Sequence, residues 1–241
     1  MRGAETRIIP EEVPPKFYAE HLKAYEFARD FVKGKKVLEA GCGDGYGSAY
    51  LAKVAVEVTG MDYEKDVILR AKNKHSAKNL SFTDGDATRL QFADESFDVV
   101  CSFQVIEHIP EGQLLRYLSE IRRVLKNYGT FYLSTLNLEH SIKSPLTYQK
   151  NPAHCKEFTL GELKELLGSV FSDVKIYGLH LTLRHSFYQR MKKIGIFRLL
   201  PSRINPVKRF YDKVTTGDFK ITANDLNKAI DFICVGKKRA L

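Results

Sequence analysis

Short apolar runs alternate with amphipathic stretches along the first 135 or so residues, the pattern of a parallel sheet covered by helices. Residues 16–32 bring Phe17, Leu22, Tyr25, Ala28 and Val32 near helical spacing. Gly34 follows as a stop, since glycine accepts the positive φ at which helices end. Lys36–Ala40 reads as a first strand and residues 45–53 as a helix entered through a tight glycine turn. Residues 56–62 form a second expected strand, followed by a helix to about His75, and residues 80–83 a third. Phe97–Phe103 is nearly all apolar, as a strand buried on both faces should be. Residues 111–125 carry Leu114, Leu115, Leu118, Ile121 and Val124 on a helix, and residues 130–135 are a fifth strand.

The second half is less regular. Residues 137–157 hold two prolines and no clear period, which predicts a loop over the strand ends. Thr159-Leu160-Gly161-Glu162 has the form of a capping box that starts a helix. A sixth strand is expected at 174–183 and a closing one at 229–235, with an insertion between them read as a helical lid. The expected organisation is a single domain, 1–241, with a helical cap at 1–34 and a basic, lid-like insertion at 184–226.

Composition adds bounds. With 44% hydrophobic and 28% charged residues, the chain has the material for a packed core and no bias towards disorder. No apolar run reaches the roughly 18 residues of a membrane helix, and the polar start contains no signal-peptide core. Four widely spaced cysteines without a C-x-x-C pair argue against a zinc site or disulfide framework, and suit a cytoplasmic location. The net charge of +9 is localised: residues 175–213 hold ten Lys/Arg and one acid, Asp212, while the remainder balances to zero. Either this is a solvated face or it meets an anionic partner: a phosphorylated or lipid-linked substrate, a membrane surface, or nucleic acid.

The candidate chemistry centres on Val37-Leu38-Glu39-Ala40-Gly41-Cys42-Gly43-Asp44-Gly45-Tyr46-Gly47. Glycines directly after a buried strand let the backbone turn sharply and approach a ligand. A dinucleotide fingerprint starting at Gly41 would need a small residue at position 46, where Tyr46 stands, and Glu39 is foreign to it. A carboxylate at Glu39 would suit a ligand carrying an ammonium group. Asp62, at the end of the second strand, can accept from both ribose hydroxyls, and Asp86 can accept from an adenine amino group.

Taken with Gly85-Asp86-Ala87, Ser96-Phe97-Asp98-Val99-Val100, Val105-Ile106-Glu107-His108 and Arg123-Val124-Leu125-Lys126, these motifs resemble the class I S-adenosylmethionine-dependent methyltransferases. The likeness is to their small-molecule, type 11-like branch and runs from about residue 36 to 137. It implies S-adenosyl-L-methionine as cofactor and a three-layer, Rossmann-like α/β sandwich. The mostly parallel seven-stranded sheet would have the order 3-2-1-4-5-7-6 and an antiparallel last strand. By that resemblance Glu39, Gly41, Cys42, Gly43 and Gly45 hold the methionine end. Asp62 with Tyr63 would take the ribose, Asp86 and Ala87 the adenine, and Phe103 and Gln104 would lie along the methionine and sulfonium.

Methyl transfer is an in-line displacement that gains from alignment, and a hydroxyl acceptor gains further from a base. His108 and His154 are the catalytic candidates, each with a structural histidine as the alternative. His21 and Tyr25 share one face of the first helix and, with Asn137 and His154, are candidates for binding the acceptor. The flanks around Tyr25, Ser134-Thr135-Leu136-Asn137 and Asn151-Pro152-x-His154-x-x-Glu157 resemble methyltransferases associated with cell-surface glycan assembly. They point to a sugar hydroxyl on a small glycan precursor. Two other readings stand beside it: an RNA methyltransferase, prompted by the basic segment, and a non-catalytic S-adenosylmethionine-binding protein. No metal is required by any of these motifs.

Overall fold

The computed structural model describes residues 8–142, 148–195 and 197–239. Residues 1–7 of the expected cap, 143–147 of the expected loop and Ile196 of the insertion lie outside the described residues.

The elements follow the predicted alternation: α1 (Pro15–Arg29), β1 (Lys36–Ala40), α2 (Tyr46–Ala52), β2 (Glu57–Asp62), α3 (Lys65–Lys74), β3 (Leu80–Asp84), β4 (Phe97–Phe103), α4 (Leu114–Val124) and β5 (Leu125–Leu136). Then come a short α5 (Leu138–Ser141), α6 (Leu160–Gly168), β6 (Ser172–Leu181), α7 (Leu183–Ile194), α8 (Pro206–Tyr211), β7 (Phe219–Thr222) and β8 (Asp231–Lys237). One sheet runs β3-β2-β1-β4-β5-β8-β6-β7. Its first five strands are parallel, while β8 runs antiparallel to β5 and β6 antiparallel to both β8 and β7.

The expected order is present with one strand added. The sheet has eight strands, because Phe219–Thr222 extends its edge beyond β6. Four residues are too few for alternation to stand out in a sequence, although Phe219 is buried and Lys220 exposed as a strand demands. The insertion is therefore two helices plus an edge strand rather than helices alone. The capping box at Thr159 forms as predicted, with Glu162 returning the bond to the Thr159 backbone.

Period-two burial divides the core. Val37, Val99, Cys101, Tyr132 and Ile233 face α1 and α2, packing with Ala24, Tyr25, Ala28 and Leu51. Their neighbours Leu38, Val100, Phe131, Leu133 and Phe232 face α4 and α6, against Tyr117, Leu118, Ile121 and Leu163. A smaller cluster of Leu179, Phe210, Val214 and Phe219 anchors the insertion on Ala19 of α1. No helix among the described residues is long and apolar enough to cross a membrane.

Candidate active site

The parallel strands end side by side above a cavity of about 760 Å³. After β1 the chain turns at once: Gly41 has φ +85° and its N–H donates to the Met61 carbonyl at 2.7 Å. A Cβ at Gly41 would lie 2.3 Å from Cγ2 of Val105, so the turn can press against the β4 exit only without a side chain. Gly43 has φ +51° and borders the cavity, where a Cβ would meet nothing within 4 Å. Bare backbone thus faces the open space. The Gly43 N–H donates to Asp62 Oδ2 at 2.9 Å, which ties the turn to the end of β2. The other Asp62 oxygen accepts from the Glu64 N–H at 3.2 Å.

Gly41, Cys42, Gly43, Asp62, Tyr63, Asp86, Ala87, Phe103 and Gln104 all line this cavity. Asp86 Oδ1 accepts from the backbone N–H and hydroxyl of Thr88, which fixes its carboxylate at the rim. Gln104 sits at φ +55°, a conformation that a non-glycine side chain holds only where its surroundings require it. Its amide donates to Asp231 Oδ2 at 3.1 Å, and its N–H to the Ser134 carbonyl at 2.9 Å. Burial drives the Asp231 pKa well above the usual carboxylate range.

Glu39 and Gly45 do not border the cavity. Glu39 is fully buried behind the glycine turn and accepts hydrogen bonds from the Tyr25 and Ser48 hydroxyls. Burial pushes its pKa up to about 7, against the pull of those two donors. The Tyr25 ring lines the cavity and meets Phe103 and Tyr46 edge-on, so α1, the turn and β4 close on one point.

His21 and His108 stand in the cavity wall. Burial and then the Lys16 charge bring the His21 pKa down to about 4, so its imidazole is neutral near pH 7. His108 Nδ1 lies 3.0 Å from the Ala153 carbonyl oxygen. A carbonyl only accepts, so Nδ1 carries a proton, and in the neutral ring the lone pair is on Nε2.

His154 lies behind His108, with ring centroids 5.0 Å apart, and does not line the cavity. Its Nδ1 is 2.6 Å from Glu157 Oε1, and Glu157 also accepts from the Tyr148 hydroxyl. Burial, then the neighbouring His108, lowers the His154 pKa to about 4, while burial raises that of Glu157. Glu107, buried and accepting from Thr135, is raised to about 7 for the same reason. Ligand atoms of Glu107, His108 and His154 lie within 4.8 Å of one another. Asn137 stands apart from the cavity: its amide donates to the Leu226 and Ala229 carbonyls and its oxygen caps α5.

Tyr46, Val105, Gln113, Pro152 and Ala153 also border the cavity. Tyr46 carried a sequence signal, as the residue that broke the dinucleotide fingerprint. Ala153 carried none, since its contribution is a backbone carbonyl.

Residues 38–133 match the family described as a methyltransferase domain. Among curated relatives, one named a probable S-adenosylmethionine-dependent methyltransferase, from Mycolicibacterium smegmatis, is 34% identical over 162 residues. That match covers 66% of this chain and 60% of the relative. Over these residues the chain is similar to S-adenosylmethionine-dependent methyltransferases. A second such relative, from Mycobacterium tuberculosis, is 29% identical over 247 aligned positions, covering 95% of this chain and 86% of its own. A phthiotriol/phenolphthiotriol dimycocerosates methyltransferase from the same species is 38% identical over 138 residues, 56% of this chain and 50% of that one. In three dimensions, the YcgJ protein of Bacillus subtilis superposes with a TM-score of 0.62 over 92% of this chain and 100% of its own, at 20% identity.

The cavity fits S-adenosylmethionine by its own geometry. The turn presents glycine backbone where a side chain would fill the cavity, and Asp62 and Asp86 place carboxylate acceptors along its wall.

Proposed function

We propose that this chain transfers the methyl group of S-adenosylmethionine to a hydroxyl of a small acceptor, with His108 as the base. The sulfonium of the cofactor supplies an electrophilic methyl group. Asp62 and the Gly41–Gly43 backbone are the residues that would hold its ribose and methionine ends, and Asp86 with Ala87 its adenine. An alcohol is a poor nucleophile until a base begins to take its proton. The observation that carries the reading is the Nδ1–H of His108 on the Ala153 carbonyl, which leaves a basic Nε2 in a ring that lines the cavity. His154 and Glu157 buttress the His108 ring from behind and are positioning residues. His21 and Tyr25 close the opposite wall and would contact the acceptor.

The flanking motifs favour a sugar hydroxyl on a glycan precursor. A lipid alcohol is the second reading, favoured by the relative whose named acceptor is a triol. An acceptor screen with methyl-labelled cofactor, run on nucleotide sugars and on long-chain alcohols, separates the two.

His108→Asn tests the base. Asparagine can still donate to Ala153 but has no atom equivalent to Nε2. Turnover should fall by roughly 10²–10⁴ with cofactor affinity unchanged. Undiminished turnover in this variant would refute the assignment.

A further inference from the structure

The insertion presents a face that is wrong for water. On α7, Leu183, Phe187 and Ile194 are 89%, 57% and 71% exposed. With Arg190 between them, they fall within about 60° of one another around the helix. The opposite side of α7 does the packing: His185 is buried among Phe210, Tyr211 and Phe219, and Tyr188 stacks on Phe210 at 4.2 Å. Leu199 and Ile204, in the loop before α8, are 98% and 60% exposed. The same segment carries Arg190, Lys193, Arg198, Arg203, Lys208, Arg209 and Lys213, all exposed and none in a salt bridge among the described residues. Between α7 and α8 a groove of about 530 Å³ has an apolar floor of Met191, Phe197, Val207 and Tyr211, rimmed by Lys192, Arg198 and Lys208.

From this arrangement we infer that residues 183–213 form a docking site for an anionic lipid bilayer. The groove would take a phosphate-bearing lipid headgroup, and the α7 stripe would enter the acyl boundary. Exposed apolar side chains in a segment rich in exposed cations match an interface in which hydrocarbon lies just beneath negative charge. RNA fits the surface less well. Stacking of successive bases needs several exposed aromatics, and Tyr188, Phe210 and Tyr211 are committed to internal ring contacts, which leaves Phe187 as the one large exposed aromatic of the described insertion, among aliphatic groups. The docking face is built on α1: Ala19 packs under Phe210 and Val214, and His21 lines the methyltransferase cavity. A docked chain would therefore hold that cavity near the bilayer, whichever acceptor it serves.

The test is co-sedimentation of the full chain with phosphatidylcholine vesicles, with and without about 30% phosphatidylglycerol. Binding should require the anionic lipid and weaken at about 0.5 M salt, where charges are screened beyond a few ångströms. Lys192→Glu/Arg198→Glu/Lys208→Glu should lower partitioning by roughly two orders of magnitude, at about fivefold or more per charge. Phe187→Ser/Ile194→Ser/Leu199→Ser should lower it about tenfold or more through lost apolar burial. Both variants should bind S-adenosylhomocysteine like the parent, which shows that the domain is folded. Three outcomes overturn the inference: no sedimentation with anionic vesicles, sedimentation of both triple variants equal to the parent's, or a parent chain that ignores vesicles while shifting tRNA or self-associating through this face.

Discussion

Replacing Glu39 by glutamine would separate what the buried carboxylate does to the empty fold from what it contributes to the ligand. Glu39 is fully buried, and its pKa rises from an ordinary 4.5 to about 7. Below pH 4.5 both the folded and the unfolded chain hold the proton, so the group contributes nothing. As the pH climbs, the unfolded chain releases its proton first, and the folded state is progressively disfavoured until the pH passes about 7. A shift of that size corresponds to about 3 kcal/mol of stability lost between those limits. Glutamine has the same shape and no charge. Its oxygen can accept from one of the Tyr25 and Ser48 hydroxyls while its amide donates to the other, which rotates to receive it. Without ligand, the variant should melt with the parent near pH 5 and roughly 6–12 °C above it at pH 8, at 2–4 °C per kcal/mol. Glu107 titrates over the same range but is present in both chains, so it cancels from the difference. With saturating S-adenosylmethionine the gap should shrink, because the ionised carboxylate favours a cation placed at the turn. Scanning calorimetry of both chains from pH 5 to 8, with and without ligand, reads all of this. A melting difference that stays constant with pH, or widens as the pH falls, would refute the reasoning.

Asp62→Ala should weaken S-adenosylhomocysteine by roughly 10²-fold in titration calorimetry, since it removes a charged acceptor and the tether on Gly43. Unchanged affinity would mean that the ribose lies elsewhere. His185→Phe should raise the melting temperature by about 2–4 °C, because neither imidazole nitrogen meets a partner in hydrogen-bond geometry within its aromatic pocket. Burial lowers the His185 pKa, so its stabilising neutral form is complete above an ordinary 6.5 and lost as the pH falls. The variant should accordingly lose less stability than the parent between pH 7 and 5, and a steeper acid limb would contradict that.

The parts of this fold that were legible are those whose cause is local. Strands β1, β2 and β4 stand out because buried parallel strands are apolar on both faces, and the turn after β1 because Gly41 and Gly43 need a conformation few residues adopt. Asp62 and Asp86 were legible as acids at strand ends, and both line the cavity. Contacts between segments far apart in the chain were not. Asp231 lies 127 residues from the Gln104 it receives, and the Ala153 carbonyl that orients His108 belongs to a loop without periodicity. Asn137 shows the converse: a polar residue after a strand reads as a ligand contact, yet its side chain ties β5 to the approach to β8 through Ala229. Glu39 lies between the two cases. Its acid stood out beside the glycine turn, but its place behind the turn depends on Tyr25 arriving from α1, which no local pattern encodes.

The insertion shows why periodicity alone cannot choose a face. On α7 two sets of residues recur at helical spacing: Leu183, Phe187 and Ile194 on one side, His185, Tyr188 and Lys192 on another. By hydrophobicity alone the first set belongs in the core and the second in water. The structure turns the first set outward, buries His185 and half-buries Tyr188, because Phe210, Tyr211 and Phe219 offer an aromatic wall that accepts an imidazole and a phenol ring, while Lys192 stays exposed with its ammonium 4.7 Å from the Tyr211 centroid. Packing of that kind satisfies the inner face and leaves three large aliphatic or aromatic groups outside, on a segment rich in exposed cations. A helix with its more apolar side exposed would be a poor solution for a surface that meets only water. For one that meets a charged layer with hydrocarbon beneath it, the same orientation is the favourable one, and that is the physical ground on which the bilayer assignment rests.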